Sequence, residues 1–253
     1  LGVAEYQLWV WGYNGTGQLG TGNETNLSSP VQVGDNFFGA IDLEEEGIID
    51  FGNRIFCSYG SSAAIKGDGT LWTWGVNTLG KLGLGNTTNY SSPVQVGSLT
   101  DWRSVCIGQT SMCASKTDGT LWGWGASDGG ASVFLSGQDQ NESSPVQIGS
   151  DTDWGTVFSL NITYSQSTLG IKTGGQMYMW GSYVNAYASQ NSFGGDTASK
   201  LPTAIDDKNY VNGGQSRDAV WAIDNTGKLW AWGKNSHGKL GLGDTTNRSS
   251  PVQ

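Results

Sequence analysis

Five short segments of one design recur along the chain, and their recurrence restricts the fold more than any other feature. They are Leu8-Trp9-Val10-Trp11-Gly12, Leu71-Trp72-Thr73-Trp74-Gly75, Leu121-Trp122-Gly123-Trp124-Gly125, the degraded Met177-Tyr178-Met179-Trp180-Gly181, and Leu229-Trp230-Ala231-Trp232-Gly233. The second aromatic falls at 11, 74, 124, 180 and 232, so the spacings are 63, 50, 56 and 52 residues. Self-similarity at this period marks a repeat architecture, in which each unit buries its apolar face only against its neighbours. The aromatics stand at i and i+2 and therefore share one face of a strand.

Each period has four parts. An Asp-aromatic segment comes first, as Asp50-Phe51, Asp101-Trp102, Asp153-Trp154 and the weaker Asp207 to Val211. A small apolar run follows, such as Ser62 to Lys66 or Met112 to Lys116. Asp68-Gly69 and Asp118-Gly119 then separate that run from the Trp segment, and Asp-Gly favours the positive-φ pair of a tight hairpin. The fourth part is Ser-Ser-Pro-Val-Gln, at 28–32, 91–95, 143–147 and 249–253, with Leu201-Pro202-Thr203 as the odd copy. All five prolines occupy this one position, which suits a rim strand because proline has no amide to donate. Four strands per roughly 50 residues is the pattern of a propeller blade. We therefore expect a single all-β domain over residues 1–253, a β-propeller of four-stranded antiparallel blades with about five repeats visible. The chain opens on a third strand and stops in a fourth, so the ring is expected to be incomplete unless sequence beyond Gln253 supplies the partners. The long first interval predicts an acidic insert, 35–49, around Asp42-Leu43-Glu44-Glu45-Glu46.

Composition narrows the function classes. Asp and Glu outnumber Lys and Arg by 22 to 13, for a formal charge of −9, which argues against a phosphate-binding surface. No apolar run approaches the roughly 18 residues of a membrane span. Leu1 to Tyr6 has no basic stretch followed by an apolar one, so no secretory signal is expected there. Cys57, Cys106 and Cys113 form no metal-ligand spacing and read as small buried hydrophobes, and the Trp residues of the motif read as core.

The strings Trp11-Gly12-Tyr13-Asn14-Gly15-Thr16-Gly17-Gln18-Leu19-Gly20, Trp74 to Gly83 and Trp232 to Gly241 resemble the signature of the regulator of chromosome condensation repeat family. The resemblance implies a β-propeller, usually of seven blades. Its name-giving member is a nucleotide exchange factor for a small GTPase that also binds chromatin, but no residue here maps onto its catalytic positions. A light-sensing plant member carries a Gly-Trp-Arg-His-Thr motif that this chain lacks. The near-verbatim segments Thr87 to Gln95 and Thr245 to Gln253 are similar in style to repeats of bacterial and tailed-phage virion proteins.

Catalytic signals are few. Gly15-Thr16-Gly17-Gln18-Leu19-Gly20 formally matches GxGxxG, but a proline strand follows where a dinucleotide site needs a helix. His237 is the only histidine and falls at a variable loop position. The turn aspartates, and Asp50, Asp101 and Asp153, recur in step with the repeat and read as architecture. No cofactor, metal or catalytic residue is therefore expected. The departures from the repeat stand out instead. The loops after Trp124 and Trp180 abandon Gly-x-Leu-Gly, run 21 and 22 residues to their proline against 19 after Trp11, and carry Asp128, Phe134, Tyr183, Tyr187 and Phe193. Equivalent loops of a propeller emerge on one face, and flat aromatics there suit sugar rings or a protein surface. The sequence thus points to a non-enzymatic binding or structural module on a virion or cell surface, contacting a protein subunit or glycan. An intracellular regulator of a small GTPase is the alternative, and a carboxylate hydrolase ranks below both.

Overall fold

Because each Trp segment is flanked by a tight turn on one side and a Gly-rich loop on the other, the chain folds as a succession of antiparallel meanders. The computed structural model describes residues 4–5, 7–34, 37–38, 40–41, 54–58, 60–126, 141–159, 166–182, 199–215 and 219–253. The first blade contributes its third and fourth strands, β2 (Leu8–Gly12) and β3 (Leu27–Val33), and a two-residue bridge pairs β1 (Ala4–Glu5) with β4 (Ala40–Ile41). The second blade is β5 (Ile55–Ser58), β6 (Ser61–Ile65), β7 (Leu71–Gly75) and β8 (Tyr90–Gln95), paired in that order. The third is β9 (Trp102–Ile107), β10 (Ser111–Lys116), β11 (Leu121–Gly125) and β12 (Glu142–Ile148). The fourth starts with β13 (Trp154–Ser159), β14 (Gln166–Lys172) and β15 (Gln176–Ser182). A single 17-residue strand, β16 (Ser199–Gln215), closes the fourth blade and opens the fifth, which continues as β17 (Ala219–Asp224), β18 (Leu229–Gly233) and β19 (Arg248–Val252). The expected strand order is thus observed in the complete blades. Among the described residues no strand of the first blade pairs with the fifth, in keeping with an open arrangement of blades.

The hairpin turns carry their own hydrogen bonds. The Asp118 carboxylate accepts from the Thr120 amide at 2.9 Å and from its hydroxyl at 2.7 Å, while Trp122 Nε1 donates to Thr120 Oγ1 at 2.8 Å. Asp68, Thr70 and Trp72 repeat the arrangement. The Thr120 bonds hold the Asp118 carboxyl below the usual carboxylate range. These aspartates are turn chemistry, as expected from their recurrence.

Blades pack through two unlike faces. The third blade presents Trp102 and Trp124, edge to face with centroids 6.1 Å apart, to Ala63, Ile65 and Leu71 of the second. Trp154 and Trp180 meet Leu121 and Ile148 in the same way. The Lys116 ammonium sits 4.3 Å from the centroid of the Trp122 ring, a cation–π contact that recurs between Lys66 and Trp72 at 3.9 Å. In the second blade the ring that packs on Trp72 and Trp74 is Phe37. Phe37 and Phe38 are buried although they fall inside the stretch expected as an insert. The reason is register: Phe37 holds the place of Trp102, and the extra residues come between it and Ile55. The acidic run 42–46 and the Asp50-Phe51 segment lie outside the described residues.

Candidate functional site

The three consensus loops are built around one buried asparagine each. Asn14, Asn77 and Asn235 are fully buried. Each side-chain oxygen accepts the amide of the loop leucine, from Leu19 at 2.9 Å, Leu82 at 2.8 Å and Leu240 at 2.9 Å. Each side-chain nitrogen donates to a carbonyl nine residues on, at Asn23, Asn86 and Asp244. Each main-chain amide donates to the side chain of Asn26, Asn89 or Asn247. A side chain with two donors and an acceptor satisfies a turn whose backbone has no strand to pair with. These loops are therefore interchangeable architecture, and the Asn-x-Ser/Thr triplets within them follow from it.

The glycines of the first two consensus loops are occupied by the next blade. Gly20 and Gly83 lie under the indoles of Trp74 and Trp124, whose Nε1 groups donate to the Gln18 and Lys81 carbonyls, each at 2.8 Å. Gly17 abuts Ser91. Gly17 and Gly20 of the GxGxxG string thus serve blade packing, and a short 3-10 turn at Thr78–Gly80 marks the equivalent loop of the second blade. His237 takes a left-handed backbone conformation, φ 76°, as does its counterpart Leu79 at φ 60°. Among the described residues no three His, Cys, Asp or Glu side chains gather as a metal site, and no helix is long and apolar enough to cross a membrane.

Asp128, Phe134, Tyr183, Tyr187 and Phe193 lie outside the described residues. The strands that flank their loops are described, and they differ from the consensus blades in one respect. Trp180 and Trp232 are fully buried, yet their Nε1 groups have no partner among the described residues. Trp74 and Trp124, which follow consensus loops, are both bonded.

Two readings from sequence need correction. Trp9 and Trp11 are not packed as core among the described residues: they are 51% and 60% exposed, because no described strand covers that face of β2. Tyr13 is exposed beside them. A cleft of about 420 Å³ runs from this edge to β5 and β6, lined by Val10, Trp11, Ile55, Phe56 and Trp74. Cys57 opens onto the same cleft and is exposed, whereas Cys106 and Cys113, opposite each other across β9 and β10, are buried as expected. A periodic motif reports that a face is apolar; it does not report whether a neighbour covers it.

Lys81 also escaped the sequence reading. It is buried, donates from Nζ to the Gln109 carbonyl at 3.1 Å, and burial pushes its pKa from 10.5 to about 8. A lysine depressed on folding binds its proton less tightly in the folded than in the unfolded chain. The penalty is full below pH 8 and is relieved as the pH rises through the folded value towards 10.5. Stability should therefore increase across that window in the native chain and stay flat in Lys81→Met. Urea midpoints measured at a series of pH values check this, and a parallel rise in Lys81→Met would exclude Lys81 as the source.

Three segments, residues 7–41, 68–115 and 226–253, match the model of the regulator of chromosome condensation (RCC1) repeat. The chain is 28% identical over 97% of its length to the mitochondrial RCC1 domain-containing protein RUG3 of Arabidopsis thaliana, spanning 58% of that protein. It is 25% identical over 97% of its length to the human E3 ubiquitin-protein ligase HERC2, spanning 5% of it. Among solved structures, Prp20p of Saccharomyces cerevisiae, described with its binding to Gsp1p and histones, superposes with a TM-score of 0.70 at 18% identity, over 99% of this chain and 59% of Prp20p. The likeness to Prp20p is one of fold.

Proposed function

We propose that this chain, a carrier of RCC1 repeats with the propeller-type blades they form, is a non-enzymatic binding module whose partner is a protein. The observation that supports it is the contrast between loops. Three loops are tied to a buried asparagine, and two of them also to the next blade's indole. The two that abandon the consensus precede Trp180 and Trp232, whose indoles have no partner among the described residues. Loops that depart from a repeat on a rigid scaffold are where recognition concentrates. Prp20p, which shares the fold, is described as binding proteins, and that favours a protein over a glycan. The virion or cell-surface setting rests on the style of the Thr87 to Gln95 and Thr245 to Gln253 segments.

The recognition patch is assigned to Asp128, Phe134, Tyr183, Tyr187 and Phe193. Replacing Tyr183 and Tyr187 together with Ala should weaken capture of a partner identified by cross-linking by about tenfold or more, as expected of central aromatic contacts. The circular dichroism spectrum and melting temperature should not change. Undiminished capture by the folded double variant would exclude the patch. Accelerated nucleotide release from a small GTPase would instead favour the regulator reading.

A further inference from the structure

The third blade departs from its neighbours at one pair of residues inside the sheet. In the second blade this cross-strand pair, between the first and second strands, is Phe56 and Ala63, and in the fourth it is Phe158 and Leu169. In the third it is Cys106 and Cys113. The places correspond because Ala63, Cys113 and Leu169 stand opposite Thr73, Gly123 and Met179, each the middle residue of its motif segment. Hydrocarbon fills the position in the blades on either side, so packing alone does not call for sulfur. Both thiols are 1% exposed and belong to the cluster of Leu121, Ile148, Trp154 and Val157, between the third and fourth blades.

Directly opposed residues of an antiparallel pair have Cα atoms about 4.5 or 5.5 Å apart, and a disulfide spans about 4.4–6.8 Å between Cα atoms. The backbone is therefore already placed for a bond, and the two thiols are in hydrogen-bonding contact. We propose that Cys106 and Cys113 form a peroxide-responsive dithiol, which closes to a disulfide without parting the blades. The oxidant is hydrogen peroxide. One sulfur attacks a peroxide oxygen: the S–O bond forms, the O–O bond breaks, and the other oxygen leaves as water with the thiol proton. The second sulfur then attacks the sulfenic acid: the S–S bond forms, the S–O bond breaks, and the hydroxyl leaves as water with the second thiol proton. The sulfur pair gives up two electrons, and the peroxide is reduced to water.

Burial sets the selectivity of this reaction. It raises the Cys113 thiol above its ordinary value, so the thiolate is scarce and attack is slow. It also shuts out bulky disulfides, whereas peroxide is little larger than water and enters by local opening of the seam. Because the second thiol touches the first, the sulfenic acid is captured before another peroxide arrives. The bond spans only the short stretch from Cys106 to Cys113, so it adds less to global stability than a long-range bridge would. Its effect is local. It pins the hairpin whose Gly108 amide donates to the Ser111 carbonyl at 2.8 Å and whose Gln109 carbonyl accepts from the Lys81 ammonium at 3.1 Å.

Peptide mapping of the full chain carrying Cys57→Ser, which leaves the pair as its only thiols, tests this. The folded chain is treated with peroxide, the excess is removed with catalase, and the chain is unfolded in iodoacetamide and digested with trypsin. Cleavage after Arg103 and Lys116 gives one peptide, Ser104 to Lys116, that holds both cysteines. It should carry no alkyl group, and dithiothreitol before alkylation should restore an alkyl group on each cysteine. Glutathione disulfide in place of peroxide should leave both thiols free. In Cys106→Ser and in Cys113→Ser on the same background, peroxide should drive the remaining thiol to sulfinic acid, which dithiothreitol does not restore. Two variants keep the comparison open if one of them fails to fold. Cysteines that both alkylate after peroxide, sulfinic acid in the intact pair, closure by glutathione disulfide, or a lone thiol that stays recoverable in a folded single variant would each overturn the proposal.

Discussion

Trp124→Ala should destabilise the chain by about 3–5 kcal/mol, whereas Trp11→Ala should change its stability by no more than about 0.5 kcal/mol when both are compared as monomers. The two residues hold the same position of the same motif, and the difference comes from what stands against them. Trp124 is fully buried, stacks edge to face on Trp102, and donates to the Lys81 carbonyl. Its removal leaves a cavity between two blades, an unstacked indole and a carbonyl that loses its donor. Trp11 has β3 at its edge and solvent over most of its ring, so truncating it creates no cavity. Urea midpoints followed by circular dichroism measure both losses. Equal losses would mean that Trp11 is covered in solution, and equal small losses would mean that the blades do not pack through their indoles.

The same pair shows how far the sequence could be read. The repeat period and strand order were legible because proline, Asp-Gly and paired aromatics each have a local cause that recurs with the period. Turn chemistry was legible for the same reason: Asp118 is bonded to Thr120 two residues away. What depends on the neighbouring blade was not. The exposure of Trp11 and Leu229, the burial of Lys81 and the seating of Phe37 in the core follow from which face meets which, and that is a tertiary fact. Phe37 had a signal in its place after a Val-Gly-Asp run, as Trp102 follows Thr-Asp, but the residues before Ile55 concealed its register. The buried asparagines had a clearer one, since Asn14, Asn77 and Asn235 each precede Asn26, Asn89 and Asn247 by 12 residues. The five residues of the proposed patch were chosen because their loops break the repeat, and all five lie outside the described residues.

Gly119→Ala should cost about 2–5 kcal/mol and Gly227→Ala only about 1 kcal/mol, although both glycines occupy the same place in the same hairpin turn. Both have left-handed backbones, with φ 79° at Gly119 and 83° at Gly227. Both amides close the turn, on the Lys116 carbonyl at 3.0 Å and the Asp224 carbonyl at 3.0 Å. The conformational penalty of a Cβ is therefore shared. The surroundings are not. The Gly119 carbonyl accepts the Trp154 amide at 2.9 Å, and a Cβ there would run into the Thr152 carbonyl, on the segment that leads into the fourth blade. Gly69 meets Thr100 in the same way one blade earlier, where the Trp102 amide donates to the Gly69 carbonyl at 3.1 Å. Backbone opposes the new methyl in these turns, and backbone cannot rotate away as a side chain can, so the two blades must separate or the turn must distort. At Gly227 a Cβ meets nothing within 4 Å among the described residues. The difference between the two losses, on the order of 1–4 kcal/mol, isolates the approach of one blade to the next from the cost of the turn itself. Urea midpoints of the two variants give it directly. Equal losses would mean that the blades are spaced more widely at Gly119 than the Thr152 contact requires, and the hairpin turns would then be local features rather than the latches between blades.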